Sequence, residues 1–328
     1  MTVIATRAPL RISLGGGGTD LPSYYREHEG FLVAGAIDKY VYMMAHTVFQ
    51  KRYRMKYSEF EEVDEAKDIK HPLLRECITR YWRGPPLEIA SLADVPAGTG
   101  LGSSGSFTVA LLKALALARR ISITPQTLAE QACEIEIEVL GEPVGKQDQY
   151  VAAHGGICTY TFHTDDTVTV EPLELLDTTL AELRNNLLLF YAGASRSASG
   201  ILADQVQRTK DGDREMLANL HRTKEMGRQF ADLLARGDLL SYAELMHEHW
   251  ETKRKRSPGM TDGHIDDLYT LARRSGVIGG KLVGAGGGGF LLVYAPRPDD
   301  TRQAMSAAGV TELVFDFDSQ GARGHEYL

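Results

Sequence analysis

Residues 95–107 read Val95-Pro96-Ala97-Gly98-Thr99-Gly100-Leu101-Gly102-Ser103-Ser104-Gly105-Ser106-Phe107, and they run directly into Thr108-Val109-Ala110-Leu111-Leu112-Lys113-Ala114-Leu115-Ala116-Leu117-Ala118-Arg119-Arg120. The first part is a glycine–serine turn. The second is apolar all round until Arg119, the pattern of a helix buried between other elements. The sequence thus predicts a loop feeding the N-terminus of a buried helix. Free N–H groups and the helix dipole favour an anion there, and glycine lets the backbone approach a phosphate without a Cβ in the way. Pro96, Gly98, Gly100, Leu101, Gly102, Ser103, Ser104 and Gly105 are the candidate phosphate-binding residues. Ser103 and Ser104 have the chemistry to cap the helix, to donate to phosphate or to reach a magnesium ion. An ordinary turn with a serine cap fits the same letters.

Outward from this loop, residues 1–14 read as a strand ended by Gly15-Gly16-Gly17-Gly18, and 31–49 as one or two strands. Residues 50–70 suit a hairpin edge and a loop, 72–82 a short helix, and 87–90 a strand. Thr124-Pro125 opens a helix over 125–140 as N-cap and first residue, and Gly141-Glu142-Pro143 closes it. After the strand 157–161, residues 165–182 are polar and irregular, a place for a domain junction. Leu187 to Tyr191 is a buried-type strand, and 199–238, 240–250 and 262–274 are helical by pattern. Residues 281–295 read strand, glycine loop, strand, and Val310 to Phe317 reads as a further strand. Mixed elements without regular βαβ alternation favour an α+β fold. The expected domains are 1–182 and 183–328.

Composition narrows the function classes. The net charge of −8 over 328 residues argues against nucleic acid as a partner. Cys77, Cys133 and Cys158 show no CxxC spacing and cannot all pair, so neither a disulfide framework nor a structural zinc site is indicated. No apolar stretch reaches the 18 or so residues of a membrane span, and the N-terminus lacks a signal-peptide pattern. A soluble cytoplasmic protein is expected, with no membrane partner; a homodimer is left open. GxxxxGK[ST] is absent, and no GxGxxG opens a helix near the start, so neither a P-loop nor a dinucleotide-binding site is indicated.

Four further features carry chemistry. On an ideal helix over 125–140, about 100° per residue places Glu136 within the apolar face of Ala129, Ala132, Cys133, Val139 and Leu140. A buried carboxylate is costly unless paired or bound to a cation, so Glu136 is either a structural ion pair or a magnesium ligand. Asp148, in Gly145-Lys146-Gln147-Asp148, follows across the Gly-Glu-Pro turn; it either enters the same cleft or caps the next helix. Arg11, in a strand before the glycine run, faces Thr19-Asp20 across a tight loop. Gly284-Ala285-Gly286-Gly287-Gly288-Gly289 implies a close approach to the backbone, with a wide bulge as the plain alternative. Among small hydroxyl residues, Arg196 suits a dianionic phosphate, because its planar fork pairs bidentately. Lys253 and Arg254, in the run Lys253 to Arg256, are secondary candidates for that task.

Taken together, the chain resembles the GHMP kinases. Ala8 to Asp20 is similar to their first motif, Pro96 to Ser104 to their phosphate-binding motif, and Lys281 to Phe290 to their third. The strings RISLGGGGTD, AIDKYVY, GKQDQY, FYAGASRSAS and GGKLVGAGGGGF are most similar to D-glycero-D-manno-heptose phosphate kinases. The resemblance implies an N-terminal ribosomal-protein-S5-domain-2-like α/β domain with a left-handed βαβ feature, and a C-terminal ferredoxin-like domain. It also implies an active site between them, with ATP and Mg2+. By resemblance Asp148 is the catalytic base and Arg11 the catalytic arginine. Asp20, with Gly17, Gly18 and Thr19, binds sugar; Ser104 or Ser103, with Glu136, holds magnesium; and Gly287 and Gly288 close the third loop over the phosphates. Glycines stand where galactokinases have Gly-Glu-His before Thr-Asp, which leaves room for another sugar. The implied reaction phosphorylates the anomeric hydroxyl of heptose 7-phosphate to the 1,7-bisphosphate, for nucleotide-activated heptose and surface polysaccharide. Another sugar kinase of the family (heptose, fucose or galactose), or a non-catalytic ligand-binding regulator, is the alternative.

Overall fold

In β1 (Val3–Gly16), Ile4 and Ala8 enter one apolar core, whereas Leu10, Ile12 and Leu14 enter another. All five positions are even-numbered, so a regular strand would put them on one face. The register against the next strand slips between Pro9 and Leu10, and such an irregularity turns later side chains over. Arg11 and Ser13 are thereby left on the side opposite the Leu10 set, where both line a cleft. The computed structural model describes residues 3–193 and 198–327.

After α1 (Pro22–His28), the stretch expected as one or two strands is a single long strand, β2 (Gly30–Thr47), antiparallel to β1. A hairpin of β3 (Tyr53–Lys56) and β4 (Phe60–Val63) follows, then α2 (Pro72–Tyr81) and β5 (Leu87–Ala93). β5 runs antiparallel to β2 and parallel to β3. α3 (Ser103–Ala118) is the buried helix expected from its apolar run. α4 (Pro125–Cys133) starts on the Thr124 side chain, which accepts from the Thr127 N–H. The expected α-helix over 125–140 is not uniform: Glu134–Val139 is a π-helix, with Leu140 N–H donating to Ile135 O. α5 (Gln147–His154) leads into β6 (Ile157–Phe162) and β7 (Val168–Pro172). β7, together with α6 (Asp177–Asn186), replaces the irregular stretch expected over 165–182.

β8 (Leu187–Tyr191) opens a second sheet. The helix expected over 199–238 is two, α7 (Ala198–Lys210) and α8 (Arg214–Arg236). Gly212 at φ +69° breaks them, and the Asp213 carboxylate accepts from the Glu215 and Met216 N–H groups to start α8. Next come α9 (Leu239–Lys253), α10 (Gly263–Arg274), β9 (Gly279–Leu282), β10 (Phe290–Tyr294) and α11 (Pro298–Ala307).

Val310 to Phe317 is not the continuous strand expected, because it changes sheets. Leu313 N–H donates to Leu189 O on β8, whereas Asp316 O accepts from Asp38 N–H of β2. The chain ends in β11 (Arg323–Tyr327), which pairs with β1 and had no signal in the sequence. The first sheet has 8 strands and the second 3, in the order β8-β10-β9. With the bridge of Glu312 to Phe190 on the outer side of β8, the second sheet follows a ferredoxin-like order. The fold is α+β as expected. One core lies between the first sheet and α2–α5; the other joins that sheet to α8, α9 and the second sheet. Among the described residues, no helix is long and apolar enough to cross a membrane.

Candidate active site

The loop before α3 is held by Thr99, whose hydroxyl donates to Pro96 O at 2.9 Å. Gly102 sits at the N-cap with φ 78°. A Cβ there would lie 3.1 Å from the Asp148 carboxyl carbon and 3.2 Å from Arg11 Cγ. Ser103, Ser104, Gly98, Gly100 and Gly102 line the cleft, so the first turn of α3 presents its free N–H groups to it. The glycine run after β9 explains itself by packing. Gly284, at φ +79°, would bring a Cβ to 2.6 Å from the backbone of Gly100.

Other expected residues lie outside the cleft lining. Pro96 is exposed beside it, Leu101 is in the core, and Gly105 packs beneath Asp148. Thr19 is buried, its hydroxyl donating to Phe31 O. Gly287 and Gly288 do not reach the cleft either, because Gly287 N–H is engaged by Met260 O. Gly284 and Ala285, the residues nearest the end of β9, line it instead. Arg196 lies outside the described residues.

Arg11 does not face Asp20, as the sequence suggested, but Asp148. Its Nε and Nη2 reach Asp148 Oδ1 at 2.7 and 2.6 Å, and Nη1 donates to Gly100 O. Among the described residues, Asp148 Oδ2 accepts no hydrogen bond, and Asp148 lines the cleft. Asp148 lines the cleft from the first turn of α5 and does not cap that helix, whose N-cap is Lys146 with no side-chain cap bond. Asp20 accepts from Gly18 N–H at 2.9 Å and from Gln147 N–H at 3.2 Å. Burial, and then the Asp148 charge, push its carboxyl up.

Ser104 Oγ donates to Glu136 Oε2 at 2.5 Å. Glu136 is 1% exposed, and among the described residues its Oε1 has no hydrogen-bond partner. Burial pushes its carboxyl up to about 7. A hydroxyl beside a carboxylate with an orphaned buried oxygen fits a hard divalent cation. Among the described residues, no cluster of three or more His, Cys, Asp or Glu offers an all-protein metal site.

Besides Arg11, three cations line the same cleft: Lys253, Arg256 and Lys281. Arg254 does not join them; it turns to Asp266 at 2.8 Å and to Glu251 at 3.2 Å. Sequence reasoning missed Lys281, and within the run Lys253 to Arg256 it singled out Lys253 and Arg254 rather than Arg256. The available signal for Lys281 was a lone lysine inside the apolar strand segment GGKLVG, which folds with 1% exposure. Arg256 looks no different in sequence from the rest of its basic run.

Known proteins share this architecture. A family model described as GHMP kinases N terminal domain matches residues 70–156, and one described as GHMP kinases C terminal matches residues 230–310. The chain is 29% identical over 306 residues to D-glycero-alpha-D-manno-heptose 7-phosphate kinase of Campylobacter jejuni subsp. jejuni serotype O:2, covering 90% of each. It is 25% identical over 318 residues to the bifunctional fucokinase/GDP-fucose pyrophosphorylase of Arabidopsis thaliana, covering 90% of this chain and 30% of that protein. A crystal structure of a D-glycero-D-manno-heptose 1-phosphate kinase from Bacteriodes thetaiotaomicron is similar at TM-score 0.82, 24% identity and 99% coverage of both chains. Lactococcus lactis galactokinase complexed with galactose is similar at TM-score 0.74 and 17% identity, covering 98% of this chain and 95% of that one. At these identities the structural likeness concerns the fold.

Proposed function

We propose that this chain, which belongs to the GHMP kinases, transfers the terminal phosphoryl group of ATP to the anomeric hydroxyl of D-glycero-D-manno-heptose 7-phosphate, giving the 1,7-bisphosphate. Family membership supports ATP-dependent kinase activity with magnesium. The relative that is 29% identical over 306 residues supports a phosphorylated heptose as acceptor. The product would feed nucleotide-activated heptose for surface polysaccharide.

The observation that carries the reading is the Arg11–Asp148 pair between the start of α3 and the Gly17–Asp20 loop. Phosphoryl transfer needs gripped phosphates, an in-line acceptor and neutralised charge. The loop and first turn of α3, with Ser103 and Ser104, would grip the ATP phosphates. Asp148 Oδ1 is held by Arg11, which leaves Oδ2 to accept the hydroxyl proton. The anomeric hydroxyl is more acidic than an ordinary alcohol, so a carboxylate serves as base. Arg11 would stabilise the charge that develops on the attacking oxygen. Asp20, fixed by two backbone N–H groups, would take sugar hydroxyls, with Gly17 and Gly18 leaving space beside it. Arg196 is retained as a proposed contact to the acceptor's phosphate. Magnesium, held by Ser104 and Glu136 with the phosphates, would supply neutralisation of the transferred group.

The test is ADP release from heptose 7-phosphate, unphosphorylated heptose, galactose and fucose at matched concentrations. Heptose 7-phosphate should be turned over fastest. Faster turnover of an unphosphorylated sugar would overturn the substrate and leave the kinase. Binding without ADP release on any sugar would mark a ligand-binding regulator.

A further inference from the structure

We infer that Arg256 and Lys281, with Lys253 behind them, form the subsite for the phosphate that the acceptor already carries. This rests on the function proposed above and deepens it.

Burying a charge without a counter-charge is costly. Yet Arg256 is 4% exposed, Lys253 8% and Lys281 1%, and among the described residues none of the three forms an ion pair. What each has is neutral. Arg256 donates from Nε to Asn219 Oδ1 at 3.0 Å, from Nη2 to Thr223 Oγ1 at 2.8 Å and from Nη1 to Gly17 O at 3.3 Å. Those three bonds use three of the five N–H donors of a guanidinium. Lys253 Nζ donates to Leu282 O at 2.9 Å and Gly284 O at 2.6 Å. Among the described residues, Lys281 Nζ has one hydrogen bond, to Ser13 Oγ at 3.5 Å, and lies 5.9 Å from the centre of the Phe230 ring. Burial and the neighbouring cations push Lys281 down to about 7 and Lys253 well down; burial pushes Arg256 down to about 10, against a pull from Asp20. A dianion would reverse that cost for all three at once.

Position selects the acceptor's phosphate over the nucleotide's. Arg256 lies against the Gly17–Gly18 turn, and a Cβ on Gly18 would come to 2.5 Å from its Nη1. Gln205, 2% exposed, clamps the same turn by donating to Gly18 O at 2.9 Å. This is the end of the cleft where Asp20 is held, on the acceptor side of Arg11 and Asp148. The nucleotide's phosphates have the start of α3. A sugar with its anomeric hydroxyl at Asp148 and its ring against Asp20 would extend its far end toward Arg256. The guanidinium supplies a fork for two phosphate oxygens, and Lys281 a point charge.

The experiment compares wild type, Arg256→Gln and Lys281→Met for kcat and KM on heptose 7-phosphate, unphosphorylated heptose and ATP. Loss of a charge-assisted contact should lower kcat/KM for heptose 7-phosphate on the order of 10–100-fold, with KM for ATP and kcat/KM for unphosphorylated heptose within a few-fold. Arg256 also ties α8 to the glycine turn, so the Lys281 variant, which gives up one long hydrogen bond and a distant contact with the Phe230 ring and keeps an apolar stem there, holds the test clear of folding defects. Equal losses on both sugars, or a rise confined to KM for ATP, would overturn the subsite while leaving the proposed reaction intact. A wild-type enzyme that does not prefer the phosphorylated sugar would overturn both.

Discussion

On one wall of the cleft Arg11 is fixed by two contacts to Asp148, and Ser104 by one to Glu136; on another, among the described residues, Lys281 makes a single hydrogen bond, to a hydroxyl at 3.5 Å. Arg11, Asp148, Ser104 and Lys281 line one cleft, with Glu136 buried behind Ser104, and the two sets are treated in opposite ways. Paired groups are already in the geometry that transfer requires, so little reorganisation accompanies reaction. Unpaired cations are held ready for a charge that arrives with the ligand. The difference separates residues that should govern kcat from residues that should govern KM.

The strongest way to break this division is Asp148→Asn. General-base loss should lower kcat roughly 10²–10⁴-fold with nucleotide affinity nearly unchanged, measured by steady-state turnover and direct nucleotide titration. A variant within a few-fold of wild type would remove Asp148 from the chemistry.

Glu136→Gln sharpens the comparison from the same wall. Loss of the carboxylate should raise the magnesium concentration for half-maximal rate on the order of 10–100-fold. Stability gives an independent reading. The Glu136 carboxyl rises from 4.5 to about 7 on folding, so the folded protein holds a proton that the unfolded chain has released. Its stabilising contribution is therefore complete below pH 4.5 and is lost as pH rises through 7. Without magnesium, Glu136→Gln should lessen the fall in melting temperature from pH 6 to pH 8 that about this much titration produces. Lower stability at every pH with unchanged magnesium dependence would make Glu136 a structural carboxylate.

The smallest effect belongs to the cationic wall. Lys281 faces Arg11 and Arg256, and burial together with their charges sets its ammonium near about 7. An anion favours the charged form, so binding above that pH requires proton uptake. KM for the phosphorylated sugar should rise several-fold as pH increases from about 7 to 8.5, and Lys281→Met should flatten the rise. A wild-type KM that falls over this range would contradict the unpaired-cation account.

Features set by local pattern were legible in the sequence. The apolar run after Gly102 marked α3, and Thr124-Pro125 marked the start of α4. Glu136 was placed on a buried face by an ideal helical wheel, although the backbone there is a π-helix; its burial survives the change of pitch. What escaped depends on contacts distant in the chain. The slip after Pro9 that turns Arg11 toward Asp148 is a property of β1 paired with β2. Residues 310–317 carry strand-like letters, yet their hydrogen bonds divide between two sheets. Lys281 shows in sequence only as a lone lysine in an apolar segment, and its place in the cleft depends on β9 packing beside Ser13.

The most direct measurement of the central claim is phosphorus NMR of the product formed from ATP and heptose 7-phosphate by the full-length enzyme with magnesium. The account predicts ADP and a sugar carrying two phosphates, one newly attached at the anomeric carbon and one retained at carbon 7. A product phosphorylated elsewhere, or heptose 7-phosphate left unchanged while an unphosphorylated sugar is consumed, would contradict it.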